Sequence, residues 1–282
     1  MRQINVNITN PGNYGSEETQ GLYPCWPSTH IKWDNTKEHD CRIWVDYWEG
    51  VESSTAKLKV AVLVEPKSLC PHNYSKVNSM LDAFDLVFST YPEDVLIHPK
   101  YRYYRGGARS FIRPEEREVY EKNKNICAIV SRKNFLPGHN VRHHIKSMIQ
   151  MGRPDLVDFI NPPMASKVSG LKDYRFELVV ENEDSNFFSE KPIDSMLCGC
   201  IPIYWTQRTP SYLNCFDMNG IVLFQTPEEL YQKLCDGVFN EEFYQDRLQA
   251  VKYNFEKAKD YVSFGDVLWN AGLDNFLKNN KI

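Results

Sequence analysis

Residues 174–205 read YRFELVVENEDSNFFSEKPIDSMLCGCIPIYW, and this stretch decides the fold. An apolar run (Phe176, Leu178, Val179, Val180) stops abruptly at Glu181, Asn182, Glu183 and Asp184. After a short polar loop comes Ser189-Glu190-Lys191-Pro192, followed by apolar residues at Ile193, Met196, Leu197 and Cys200. That spacing predicts one buried face of a helix. A Gly199-Cys200 exit leads into Ile201-Pro202-Ile203-Tyr204-Trp205, which is short and β-rich. The order is strand, loop, helix, strand. It is a βαβ unit of a parallel sheet, with polar residues where the first strand ends, and that edge is where open α/β sheets hold ligands. Ser189 is placed to cap the helix and Pro192 is tolerated in its first turn. The unpaired N–H groups there, with the Lys191 ammonium, suit a phosphate.

Outward from this unit the alternation of strands and helices continues. Residues 3–9 alternate as a half-buried strand, 10–40 read as a long loop without regular structure, and 42–48 alternate again. LKVAVLVEP (58–66) is a nearly unbroken apolar run, as a central parallel strand requires, and it places Glu65 at that strand's carboxyl end. A helix over 75–84 and a strand over 85–90 follow, then a basic aromatic segment at 98–105. From Gly106-Gly107 to about Lys124 charge replaces hydrophobicity, which marks a linker. Beyond it come a strand (126–130), a helix (139–151), a strand (156–160), the 174–205 unit and a strand (220–224). Thr226-Pro227 opens another helix, and 240–259 and 265–279 are helical. The reading is an α/β protein of two Rossmann-like domains, residues 1–112 and 113–282, with a ligand site expected in the cleft between them.

Composition limits what the chain can do. Its 282 residues, 42% of them hydrophobic, are enough for two packed cores. A net charge of −4 argues against a nucleic-acid partner held by bulk charge. No stretch has the length of a membrane span, and MRQINVNITN lacks the apolar core of a secretion signal, so a cytoplasmic location is expected. The eight cysteines have no paired metal-ligand spacing and read as buried thiols.

The chemistry-bearing residues collect at strand ends. Glu190 and Lys191 at a helix start suit a ribose and a phosphate, although a solvated first turn would show the same pattern. Arg132, Lys133 and Arg142, with His143 and His144, follow the 126–130 strand and share the sheet edge of the acidic loop; a surface loop of ordinary basic residues is the competing reading. Glu181-Asn182-Glu183-Asp184 allows a divalent-metal site of the GT-A kind, or a plain acidic turn. Glu65 is a lone carboxylate leaving a buried strand, a possible general base, with Glu93, Asp94 and His98 as rivals in the same half. The aromatic excess (sixteen Tyr, fifteen Phe, six Trp) also leaves open a sugar-binding module without catalysis.

With those residues in view, the 174–205 stretch resembles the signature of the α-1,3/4-fucosyltransferases, glycosyltransferase family ten: Tyr-Lys-Phe, an apolar run, Glu-Asn, then Thr-Glu-Lys, a helix and Pro-Val/Ile. CAIVSRKNFLPGHNVR and the segment from Val62 to Tyr104 resemble further parts of that family more loosely, and exostosin-like transferases share a looser form of the helix-Gly-Cys-Ile-Pro pattern. The resemblance implies a GT-B fold, with two Rossmann-like domains facing across a cleft. The nucleotide sugar would lie in the C-terminal domain and the acceptor glycan in the N-terminal one, and residues 262–282 would cross back onto the latter. It implies inverting transfer by direct displacement, with no cofactor or metal required for the chemistry. Glu190 and Lys191 would hold ribose and phosphates, with Arg142 or Arg132 on the diphosphate. Glu181 and Asn182 would line the donor-sugar side, and Glu65 would be the base. The chain departs from the signature at Phe187, where the family has Tyr, and at Ser189, where it has Thr, and Arg142 sits about two residues beyond its expected offset. The donor expected by family habit is GDP-fucose, and the changed pocket leaves room for a UDP-sugar such as UDP-xylose.

Overall fold

The computed structural model describes residues 3–9, 26–105, 110–162, 164, 166–185, 188–208 and 213–282. The chain forms two compact units, Met1–Arg109 with Asp260–Ile282, and Ser110–Lys259.

Unit 1 carries six parallel strands: β1 (Ile4–Thr9), β2 (Ile31–Trp33), β3 (Cys41–Val45), β4 (Leu58–Leu63), β5 (Leu86–Ser89) and β6 (Tyr101–Tyr103). Their order is β2-β1-β3-β4-β5-β6. Central β4 is paired on both sides, Val60 with Ile43 and Leu86, which is why its sequence is apolar on both faces. Helix α1 (Pro71–Ser79) follows β4 and starts on a proline, where the missing N–H costs nothing.

Unit 2 carries β7 (Lys124–Ile129), α2 (Pro137–Gly152), β8 (Asp158–Ile160), β9 (Tyr174–Val179), α3 (Glu190–Leu197), β10 (Ile201–Trp205), β11 (Val222–Phe224), α4 (Pro227–Cys235), α5 (Glu241–Gln245) and α6 (Leu248–Ala258). The sheet order is β11-β10-β9-β7-β8, all parallel. Both sheets thus wind the same way: the second strand lies outside the first, and later strands add on its other side. The direction reverses between β1 and β3 in unit 1 and between β7 and β9 in unit 2. These are the positions where doubly wound sheets open a crevice for a ligand. β9 is the middle strand of its sheet and all six of its residues are buried. Phe176 on β9 packs against Phe239, Phe243 and Tyr244, and Ile145 and Ile149 of α2 join the same core. After α3, Gly199 turns the chain at φ +70°, and a side chain there would run into Val119 at 2.9 Å.

Several elements differ from the sequence reading. Residues 31–33 of the expected 10–40 loop form strand β2; residues 10–25 lie outside the described set. Three residues give no periodicity, so only pairing to β1 reveals the strand. Residues 101–103 likewise form edge strand β6. The expected helix over 240–259 is two helices, parted at Asp246-Arg247. The one over 265–279 is α7 (Phe264–Leu268) and α8 (Asp274–Asn279), separated by a wider turn in which Gly272 takes φ +117°. Cys41, Cys127, Cys198 and Cys200 are buried and unbridged, and burial holds their thiols above the ordinary range. Among the described residues no helix is long and apolar enough to cross a membrane.

Unit 1 is built from both ends of the sequence. The Asp266 carboxylate accepts from Thr29 N at 2.8 Å and from Ser28 Oγ, while the Trp269 ring stacks on His30 with centroids 4.7 Å apart. Trp33 of β2 packs on Phe264. Asp266→Ala leaves the Ser28 and Thr29 donors without their acceptor and should cost unit 1 about 1–3 kcal/mol. Hydrogen exchange is expected to show faster opening at β1 and β2, with β9 and β10 unchanged. Equal loosening of both units would contradict this.

Candidate functional site

The switch point of unit 2 gathers most of the residues singled out in the sequence. β9 ends at Val179, and two residues later the Glu181 side chain turns inward, 1% exposed. Its carboxylate accepts from Ser189 Oγ at 2.7 and 2.6 Å, from Ser189 N at 3.2 Å and from Lys191 Nζ at 2.9 Å. The Tyr204 hydroxyl donates to it from β10 at 3.4 Å. Ser189 also caps α3, its Oγ accepting from Lys191 N at 3.2 Å. The start of α3 is therefore fixed to the end of β9 through one carboxylate. A buried carboxylate is tolerated only with this many donors. Removing its cation would leave an uncompensated buried charge, a loss of about 3–5 kcal/mol.

Lys191 is not spent by this contact. An ammonium has three protons. Two are directed to Glu181 Oε2 and to Ser189 Oγ at 3.2 Å, which among the described residues leaves one for a ligand, and the side chain keeps 22% exposure. Glu190, half-buried, is the first residue of α3.

The second element at the switch point is the start of α2, which follows β7. Its Gly138 N donates to Asn182 O at 2.9 Å. A Cβ on Gly138 would fall 1.8 Å from the Glu181 carbonyl oxygen, so only glycine lets α2 come this close to the acidic loop. Arg142, 8% exposed, donates from Nη2 to Val180 O at 2.8 Å and to Asn182 Oδ1 at 3.4 Å. Burial lowers its pKa, opposed by the negative charges of Glu181 and Glu190. His139 lies beside it, 2% exposed, and its Nδ1 accepts from Leu136 N at 3.2 Å. Burial, with the cations Arg142, Lys133 and Lys191 nearby, pushes its pKa down to about 4, so the ring is neutral near pH 7.

The structure therefore brings together Glu181, Asn182, Ser189, Lys191 and Arg142. Arg132 is exposed in the loop between β7 and α2. Phe187 lies outside the described residues. Glu65 belongs to unit 1, half-buried just past β4, with its N donating to Asp46 Oδ2 at 2.9 Å and its carbonyl accepting from Tyr74 OH at 2.9 Å. Of its rivals, Asp94 is held by Lys67 Nζ and Ser89 Oγ, both at 2.6 Å. His143 Nε2 is 2.9 Å from Lys133 O, and His144 is at the surface beside Glu228. Sequence reasoning missed Gly138 and His139. The only signal was their position, one and two residues after a proline that opens a helix behind a buried strand.

No protein-family model matches the sequence, and no curated protein matches it. The comparison with solved structures does find likeness. An alpha1,3-fucosyltransferase matches with TM-score 0.51 at 13% identity, over 92% of this chain and 90% of that one. Anabaena HepE, solved in complex with UDP-glucose, matches with TM-score 0.55 at 10% identity, over 98% of this chain and 99% of that one. The fold is GT-B. The pneumococcal O-GlcNAc transferase GtfA, in complex with UDP and GlcNAc, matches with TM-score 0.54 at 11% identity; 84% of this chain is covered, but the chain spans only 57% of GtfA. The GT-A expectation for Glu181 and Glu183 ends here, because the architecture is two parallel sheets of doubly wound order.

His139 gives the site a pH signature. Its pKa of about 4 is below the unfolded value near 6.5, so the unfolded chain binds the proton first and stability falls as pH drops from about 6.5 to about 4. Glu177, buried in β9 with its pKa raised to about 7 by burial, works in the opposite direction over about pH 7 to 4.5. The comparison is therefore wild type against His139→Gln in denaturant titrations. The wild type should lose stability relative to the variant as the solution is acidified through that window, and a constant difference would contradict the assignment.

Proposed function

We propose that the chain is an inverting glycosyltransferase that moves a sugar from a nucleotide-sugar donor to a hydroxyl of a glycan, with no metal needed for the chemistry. The observation that carries this is the single cluster at the β7/β9 switch point. There a helix N-terminus, a lysine with one proton uncommitted among the described residues and a glycine-only backbone approach come together. Together these are the elements a diphosphate requires. The signature at 174–205 and the GT-B fold point the same way.

In this reading Lys191 and the first N–H groups of α3 stabilise the charge that builds up on the leaving diphosphate. Glu190 takes the ribose, and Arg142 holds Asn182 and the end of β9 at the donor sugar, with Arg132 as the exposed cation at the rim. The acceptor oxygen attacks the anomeric carbon from the face opposite the diphosphate. The carbon–phosphate-oxygen bond breaks, the configuration inverts, and the acceptor proton passes to Glu65. The donor is GDP-fucose by the signature, or a UDP-sugar such as UDP-xylose.

Three experiments test the reading. In calorimetry Lys191→Ala should bind GDP or UDP at least tenfold more weakly, with Lys191→Arg recovering part of the loss. Glu65→Gln should keep donor affinity while kcat falls by about 10²-fold or more. Unchanged nucleotide binding in Lys191→Ala, measured below its lowered melting temperature where the variant is folded, removes the phosphate role. Separately, transfer assayed in excess EDTA should proceed at its full rate, and loss of activity that added Mn²⁺ or Mg²⁺ restores would overturn the metal-free mechanism.

A further inference from the structure

Unit 2 holds a second buried charge cluster, which the transfer reaction does not use. Glu177 of β9 is 3% exposed and Asp194 of α3 is fully buried. Lys167 Nζ is 2.7 Å from Asp194 Oδ2, and its side chain is mostly buried as well. Asp194 Oδ1 also accepts from Ser110 Oγ at 2.6 Å and from Phe111 N at 3.0 Å. Glu177 has no such support. Its Oε2 is shielded from water and meets no hydrogen-bond partner among the described residues. Glu181, just past the end of the same strand, is equally buried but is met by Ser189, Lys191 and Tyr204. A buried carboxylate with several N–H and O–H partners and a cation stays ionised, whereas one without them favours its protonated form.

The charged groups that act on Glu177 are Lys167 from the 166–170 segment, Asp194 from α3 and Lys191 at the start of that helix. The thiols of Cys127 on β7 and of Cys198 and Cys200 ahead of β10 face it too, and burial keeps them protonated near pH 7. Lys122, near those thiols, is taken by the carbonyls of Lys172 and Cys198. Glu190 and Arg117 act on Asp194. Lys191 is paired with Glu181, so one ammonium, Lys167, serves two buried carboxyls and one negative charge is left over. Burial, opposed by Lys167, pushes Glu177 up to about 7. The leftover charge bears on the start of α3. Asp194 follows Lys191 by three residues and Glu190 by four, which puts all three on neighbouring positions of one helix face.

We propose that Glu177 is a proton site coupled to the anion site at the start of α3, so that a nucleotide diphosphate binds together with a proton and binds more tightly as pH falls through neutrality. The coupling rests on the reading of α3 as the nucleotide site. Its sign follows from charge. Ionised Glu177 and the diphosphate are both negative, so each disfavours the other; the bound state holds more protons, and affinity rises on acidification. By reciprocity the nucleotide raises the pH at which Glu177 gives up its proton. A displacement of one pKa unit on binding is a tenfold change in affinity. With Lys167 and Lys191 shielding the carboxyl, a gain of roughly three- to tenfold is expected between about pH 8 and about pH 6.

The test is calorimetric titration of the full chain with UDP-glucose and with GDP-fucose, whose esterified phosphates do not titrate near neutral pH. It is run across that pH range in two buffers of different ionisation enthalpy. Whichever nucleotide binds should gain the stated affinity on acidification and take up a fraction of a proton near pH 7. Glu177→Gln has a neutral side chain of the same size. It should bind at the upper pH as tightly as the wild type does at the lower, with no proton uptake. Carbon NMR of the wild-type carboxyls needs no variant: one glutamate should titrate near pH 7 and move to higher pH when nucleotide is added. Wild-type affinity that does not change with pH, the same pH slope in folded Glu177→Gln, or no glutamate that moves on binding each overturns the coupling. The nucleotide reading fails separately. Binding of neither nucleotide removes that reading and the coupling with it, whereas binding without pH dependence keeps the nucleotide site and removes only the coupling.

Discussion

The buried Glu181 carboxylate is the constraint on which the candidate site depends. It is the last buried residue leaving the central strand of unit 2, and it is satisfied only because Ser189 and Lys191 come back to it across the loop. Ser189 meets two requirements at once, neutralising part of the Glu181 desolvation and capping α3. That coupling fixes the direction of α3 and hence the direction of its free N–H groups. With Gly138 pressed against the Glu181 carbonyl, the start of α2 is located by the same residue from the other side. One interior charge thus orients two helix starts toward the place where the sheet order reverses.

This arrangement fits a general property of anion sites built on α/β sheets. The groups that meet the ligand have to be fixed beforehand, because any ordering they undergo on binding is subtracted from affinity. Arg142 illustrates the division of labour. Its hydrogen bonds are to Val180 and Asn182, so its charge organises the loop from within, while Lys191 keeps a proton to offer outward. A sequence reader sees two cations of similar standing. The structure separates them by where their protons are already committed.

The parts of the fold legible in the sequence were those written in local chemistry. β4 and β9 are rich in apolar residues because they are covered on both faces, and Ser189 and Thr226 announce helices because capping is a short-range event. β2 and β6 were invisible, since three residues carry no period and their pairing partners are distant in sequence. The inward turn of Glu181 was also hidden. An acidic run after a strand looks solvated, and only its distance to Ser189 Oγ and Lys191 Nζ shows that it is an interior group. His139 was hidden for a related reason: a histidine next to two others on a basic helix shows nothing of its burial until α2 is packed onto the sheet.

The return of residues 260–282 to unit 1 has a consequence for how the molecule is made. Unit 2 is a continuous segment that ends at Lys259, so all of it is synthesised before Asp266 and Trp269. Unit 1 at that moment has its six strands but lacks the segment that covers Ser28, His30 and Trp33. The sheet synthesised first is thus the one completed second, and until then the apolar edge around β2 is open to other nascent chains. During synthesis the segment left uncovered longest is therefore 28–33, and residues 260–282 cover it.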